Sequence, residues 1–213
     1  MISGVCFDMD GVLLDTESLS FPMMRKAIAM QGETLTEPQW QTLLGVNLAH
    51  TCASLNTWYQ GRVQPERFFR DWVDVTFDYV HAHGIPKKPG ADAILRILRR
   101  QGKKIALCTS NNVRVVEEYL RLASWQEAFD AIVTGDQVKQ GKPAPDIYQK
   151  GAEALNLSPA TCMAVEDSVN GVKSAKAAGM LTVMIPDMLP YTDDLAPYVD
   201  HKLDNLMALE TLL

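Results

Sequence analysis

The chain has 213 residues, 47% hydrophobic and 22% charged, an ordinary globular balance that fits one large domain or a domain with a small insert. Its formal net charge of -6 argues against nonspecific nucleic-acid binding, which needs a basic surface, but leaves an anionic small substrate open because local cations decide that. No apolar run approaches the roughly 20 residues that span a bilayer, and the N-terminus lacks the basic-then-apolar pattern of a signal peptide. The four cysteines, Cys6, Cys52, Cys108 and Cys162, are scattered with no CxxC pair. A reduced cytoplasmic protein with no membrane partner is expected, with Cys6 and Cys108 as small buried hydrophobes.

In chain order, Val5-Cys6-Phe7 reads as a buried strand that breaks on Asp8 and Asp10, with Gly11 following at once. Residues 16–83 then read as helical, without a convincing buried strand. The segments are Phe21–Met30, Pro38–Leu44, Ala49–Tyr59 and Pro65–Val80. Phe68, Phe69, Trp72 and Phe77 are the expected core of this insert. Asp15 and Thr16 are expected to cap its first helix. His81 and His83 read as surface or hinge residues near a helix end rather than as a metal pair.

From about Gly84 the pattern alternates. Helices are expected over Ala91–Arg100, Val113–Leu122, Ile147–Leu155 and Val169–Ala178, with Gly179 ending the last of these. Strands are expected over Lys104–Cys108, Ala131–Val133, Cys162–Val165 and Leu181–Ile185. Strands apolar on both faces, alternating with helices, specify an α/β fold with a Rossmann-like parallel sheet sandwiched by helices. The expected domains are an α/β core of 1–15 and 84–213 and a helical cap of 16–83.

In open α/β sheets, ligands collect beyond the carboxyl ends of the strands. If the sheet is parallel, that rim gathers Asp8 and Asp10, Thr109-Ser110-Asn111, Glu166-Asp167-Ser168, and the loop Gly141-Lys142-Pro143-Ala144-Pro145-Asp146, whose prolines would fix the approach of Lys142. Clustered carboxylates repel one another and repel a phosphate more strongly. A hard divalent cation with oxygen ligands, Mg2+ above all, removes that conflict. One carboxylate can then attack phosphorus, and a second, two residues on, can shuttle a proton. Lys142 and Thr109 would neutralise and hold the transferring oxygens. The plainer alternatives are a polar turn for Asp8 and Asp10, a solvated loop lysine for Lys142, and helix caps for Thr109, Ser110, Glu166 and Asp167.

Four motifs in this order resemble the haloacid dehalogenase-like phosphohydrolases, and among them the β-phosphoglucomutase-like members with a helical cap after the first strand. The motifs are Phe7-Asp8-Met9-Asp10-Gly11-Val12, Thr109-Ser110-Asn111, Lys142-Pro143, and Glu166-Asp167-Ser168 with Gly171. The resemblance implies Asp8 as nucleophile and Asp10 as general acid/base. It implies Mg2+ held by the Asp8 carboxylate, the Asp10 carbonyl and Asp167, with Glu166 bound directly or through water. Thr109, Ser110, Asn111 and Lys142 would hold the phosphoryl group, and Gly45, Val46 and Asn47 of the cap would contact the rest of a small phosphorylated metabolite. Mutases of the group are similar in carrying a histidine where Ser20 stands and a cap arginine where Leu48 stands. Those departures favour hydrolysis over a sugar-phosphate mutase, as does Glu17 after Asp15-Thr16. A non-catalytic binding module of the same fold is the other alternative. A monomer is expected.

Overall fold

The computed structural model describes residues 2–46 and 48–213. The chain divides into two compact units, Met1–Asp15 with Pro86–Leu213, and Thr16–Ile85. The elements are β1 (Gly4–Phe7), α1 (Glu17–Ala29), α2 (Glu37–Gln41), α3 (Leu48–Tyr59), α4 (Pro65–His83), α5 (Ala91–Arg100) and β2 (Lys104–Cys108). They continue as α6 (Val113–Ala123), β3 (Ala131–Val133), α7 (Asp146–Ala154), β4 (Cys162–Glu166), α8 (Val169–Ala177), β5 (Leu181–Met184) and β6 (His201–Lys202). No helix among the described residues is long and apolar enough to cross a membrane.

The first unit is built on a six-stranded parallel sheet of order β3-β2-β1-β4-β5-β6. Successive strands leave β1 in opposite directions, so β1 marks the switch point where such sheets open a crevice. The register pairs Phe7 with both Leu107 and Val165. Asp8 and Glu166, the next residues on their strands, and Thr109, which follows Cys108 at the end of β2, therefore emerge together at one rim. β1 is buried along its whole length, as a central parallel strand must be.

The helices covering the sheet follow the apolar spacing of the sequence. α5 buries Ala91, Ile94, Leu95 and Leu98, an i, i+3, i+4, i+7 stripe. α7 lies close over the sheet because Gly151 has no side chain: a Cβ there would stand 2.5 Å from Cys108 Sγ. Cys6, Cys108 and Cys162 are buried in that same core. Gly179, at φ 81°, ends α8 in the left-handed conformation that glycine adopts without penalty. β6 is a two-residue exposed edge strand that the sequence pattern does not announce.

The second unit is all helical. Leu19, Met23, Met24, Ala27 and Ile28 of α1 pack with α4, which buries Phe68, Val75 and Val80. Only Phe68 of the expected aromatic stripe is fully buried; Phe69, Trp72 and Phe77 are half-buried, and Trp72 stacks on Phe68 at 5.9 Å. α1 begins at Glu17, four residues before the expected start, and Thr16 stands at its N-cap position without a side-chain cap bond, which corrects the expectation for Thr16. A full capping box starts α2 instead, with Thr36 and Gln39 bonding reciprocally. α4 runs to His83, three residues past the expected end, and stops at Gly84. His83 stacks on Tyr79, and its Nδ1 lies 2.9 Å from the Tyr79 carbonyl.

Candidate active site

Asp8 is the first residue beyond β1. Its backbone N–H still donates to the Val165 carbonyl at 3.0 Å, which continues the sheet ladder and fixes where the side chain leaves it. The carboxylate is buried, and its Oδ1 accepts a hydrogen bond from Lys142 Nζ at 2.6 Å. The same ammonium donates to Glu166 Oε1 at 2.5 Å and lies 5.2 Å from the centre of the Tyr148 ring. Side-chain exposure is 6% for Lys142, 10% for Asp8 and 0% for Glu166. An ion triad this deep loses hydration that its mutual attraction only partly restores, so stabilisation of the fold is a weak account of it.

Glu166 is the hub of this arrangement. Besides Lys142, its Oε1 accepts from the Tyr148 hydroxyl at 2.7 Å. Its Oε2 accepts from Ser168 Oγ at 3.0 Å and from the backbone N–H groups of Asp167 and Ser168 at 3.2 and 3.3 Å. A side chain at Gly171, in the first turn of α8, would overlap this carboxylate, which explains glycine at that place. The N-cap of α8 is Ser168, whose hydroxyl accepts from the Gly171 N–H at 3.0 Å. Glu166 and Asp167 are thus not needed as caps.

Asp10 is held from the other side. Its Oδ2 accepts from Asn111 Nδ2 at 2.6 Å. Asn111 is fixed in turn, since its N–H donates to Thr109 Oγ1 at 3.2 Å and its carbonyl accepts from the Gly135 N–H at 2.7 Å. Thr109 is fully buried, whereas Ser110 is exposed. The cap of α6 is Asn112, which accepts from the Val115 N–H at 3.1 Å, so neither the Thr109 nor the Ser110 hydroxyl serves as its N-cap.

The electrostatics match the geometry. Burial pushes the Asp8 carboxyl up; Lys142 pulls it back, Glu166 and Asp10 push it further, and the balance leaves it at about 7. Burial opposes the charge on Lys142, but Asp8 and Glu166 outweigh it and hold the ammonium protonated above its usual range. Burial, then the charge of Glu166, keep the Tyr148 hydroxyl protonated as a donor.

Asp8, Glu166 and Asp167 each present a carboxylate oxygen, and the three lie within 4.8 Å of one another. Hard oxygen donors at that spacing fit Mg2+, which takes one or two carboxylates and keeps water for its remaining positions. Gly11, at φ 74°, clears the space beside them: a Cβ there would collide with Asp167 Oδ2.

Of the other expected site residues, Gly45 is exposed at φ 70°, Val46 is half-buried, and Asn47 lies outside the described residues. Leu48 is 63% exposed. Ser20, at the position where the mutases carry histidine, accepts a hydrogen bond from Trp40 Nε1 at 3.1 Å inside the helical unit. The sequence reading missed Tyr148, Lys88 and Asp187. Tyr148 carries no signal beyond an aromatic in a helix. Asp187 does carry one, a carboxylate just beyond a buried strand, the same mark that singles out Asp8.

The family model for haloacid dehalogenase-like hydrolases matches residues 2–179. A phosphorylated carbohydrates phosphatase of Thermotoga maritima is 35% identical over 179 residues, covering 84% of this chain and 82% of that protein. Hexitol phosphatase B of Escherichia coli is 28% identical over 98% of this chain and 94% of its own length. Among solved structures, CbbY from Rhodobacter sphaeroides in complex with phosphate superposes with a TM-score of 0.82 at 26% identity, covering 98% of this chain and 96% of that one. With the motifs in order and the matched region spanning most of its length, the chain belongs to the haloacid dehalogenase-like hydrolases.

Proposed function

We propose that the chain is a Mg2+-dependent phosphatase that hydrolyses a small phosphomonoester, a sugar phosphate or similar metabolite, through an aspartyl-phosphate on Asp8. The observation that carries this reading is the buried Asp8–Lys142–Glu166 triad with Asp10 two residues from the nucleophile. Phosphatase relatives of phosphorylated carbohydrates and hexitols support the substrate class.

The Asp8 carboxylate, the Asp10 carbonyl and Asp167 would hold Mg2+, which supplies positive charge to screen the carboxylates from the phosphoryl group. Lys142 restrains one Asp8 oxygen, leaving the other to attack phosphorus. As the Asp8 oxygen–phosphorus bond forms, the ester oxygen–phosphorus bond breaks, and the Asp10 carboxyl gives its proton to the leaving oxygen. The Asp10 carboxylate then takes a proton from water, which attacks phosphorus, releases inorganic phosphate and restores Asp8. Asn111 aims Asp10 through its 2.6 Å bond. The Lys142 ammonium, kept charged by Asp8 and Glu166, offers its remaining proton to the transferring oxygens. Glu166, with its two oxygens accepting five hydrogen bonds, positions Lys142.

Ser20 favours hydrolysis over phosphate transfer between substrate hydroxyls, since it bonds Trp40 and offers no imidazole. A panel of phosphorylated sugars, sugar alcohols and nucleotides, scored for phosphate release with Mg2+, tests the proposal. The expected result is release from at least one sugar-type ester by the wild type and none by Asp8→Asn. Conversion of β-glucose 1-phosphate to the 6-phosphate without phosphate release would overturn it in favour of the mutase.

A further inference from the structure

Asp187 lies three residues beyond β5. The strand delivers it to the catalytic rim because the Ile185 N–H donates to the Glu166 carbonyl at 2.8 Å, keeping the chain beside β4 past its last paired residue. One oxygen, Oδ1, accepts from Lys88 Nζ at 2.6 Å. The other, Oδ2, is buried and is the one buried side-chain polar atom among the described residues without a hydrogen-bond partner. Leaving a buried carboxylate oxygen unpaired costs about 1–3 kcal/mol or more, so such an atom calls for an occupant.

The direction in which Oδ2 points identifies the occupant. A Cβ added at Gly11 would meet Asp167 Oδ2 and would stand 3.2 Å from Asp187 Oδ2. Both oxygens therefore converge on the space that Gly11 leaves open, and Asp167 is a member of the carboxylate cluster with Asp8 and Glu166. An unpaired acceptor beside a site for a hydrated cation meets the strongest donors available there, the cation's own water molecules. Mg2+ gives up its waters reluctantly, so those waters need acceptors fixed in place.

Asp187 is fixed in place. Lys88, 22% exposed, holds it from the segment that re-enters the first unit, and also lies 3.5 Å from Asp15 Oδ1. That segment is itself pinned: the Lys88 N–H donates to the Leu13 carbonyl and the Asp15 N–H to the Pro86 carbonyl, each at 2.9 Å. Lys88 thus approaches from a segment bridged to Leu14 through Lys87 rather than from a free loop.

We propose that Asp187 is a positioning residue for the metal, accepting a hydrogen bond through Oδ2 from a water bound to Mg2+ while Lys88 holds Oδ1. The inference rests on the Mg2+ reading above and deepens it. Groups that act through the bound water or ligand of a metal typically alter affinity 10–100-fold.

Calorimetric titration of the full-length protein with Mg2+ tests it, on the wild type and on Asp187→Asn, with urea unfolding of both in EDTA. The amide keeps an oxygen for Lys88 and replaces the unpaired acceptor with a donor. The expected result is Mg2+ affinity about 10–100-fold weaker in Asp187→Asn, with metal-free stability close to wild type because the amide oxygen keeps the bond from Lys88. Unchanged affinity would overturn the inference. So would a loss of metal-free stability without a change in affinity, which would make the Lys88 pair purely structural. If the wild type itself binds no Mg2+, the metal reading fails before Asp187 is in question.

Discussion

Replacing Lys142 by methionine is the most instructive perturbation of the site. Methionine fills much of the same volume without the charge, so the change isolates the electrostatic role of the ammonium. Lys142 is 6% exposed and sits between two carboxylates that are 10% and 0% exposed. Removing one member of a buried ionic group leaves the others uncompensated, at a cost of about 3–5 kcal/mol. The cost depends on pH with a definite sign. Asp8 already titrates at about 7 in the intact triad, well above an ordinary aspartate. Without Lys142 it loses its one lowering influence, and Glu166 loses the same cation. The folded variant then binds more protons than the unfolded chain above the ordinary carboxylate range, so its stability falls as pH rises. Urea unfolding in EDTA, followed by circular dichroism, should show a deficit against wild type of about 3–5 kcal/mol at pH 8, smaller by about 1.4 kcal/mol at pH 5, because the variant's Asp8 keeps its proton across the interval between pH 7 and 8 where the wild type releases it. A deficit below about 1 kcal/mol at pH 8, or one independent of pH, would refute the reasoning.

Gly171→Ala should displace the Glu166 carboxylate, because the new methyl group would overlap it; phosphatase turnover should fall by about 100-fold or more, read with an aryl phosphate at saturating Mg2+. Ser20→Ala should leave the buried Trp40 indole N–H without its bond and destabilise the helical unit by about 1–3 kcal/mol in urea unfolding, and a neutral result would show that the bond is not formed in solution. Chelation with EDTA should abolish phosphate release, and added Mg2+ should restore it; full activity in EDTA would contradict the metal reading.

The parts of this fold legible in the sequence are those where a buried strand ends abruptly in charge. Asp8 and Glu166 follow apolar strands that can only be central, so their place at the rim follows from the sheet being parallel. The role of Glu166 was less accessible. Its adjacency to Asp167 suggests a metal ligand, but its hydrogen bonds with Tyr148, Ser168 and Lys142 come from three separate segments. Tyr148 reads as a core aromatic at helical spacing, and nothing local reveals that its hydroxyl meets a carboxylate. The start of α1 was obscured because its first turn, Glu17 to Ser20, has only Leu19 as an apolar residue, and its proline, Pro22, lies inside the helix. β6 was invisible because His201 and Lys202 are both exposed and form an edge too short for alternation to register.

Trapping the covalent intermediate tests the nucleophile most directly. A turning-over reaction quenched in acid within its first cycle, digested and mapped by mass spectrometry, should carry a phosphoryl group on the peptide containing Asp8. With an aryl phosphate, whose leaving oxygen departs without needing the Asp10 proton, Asp10→Ala removes the base that activates water and should increase that signal. Rapid phosphate release with no phosphoryl group on that peptide in either protein, or one found on another residue, would contradict the assignment.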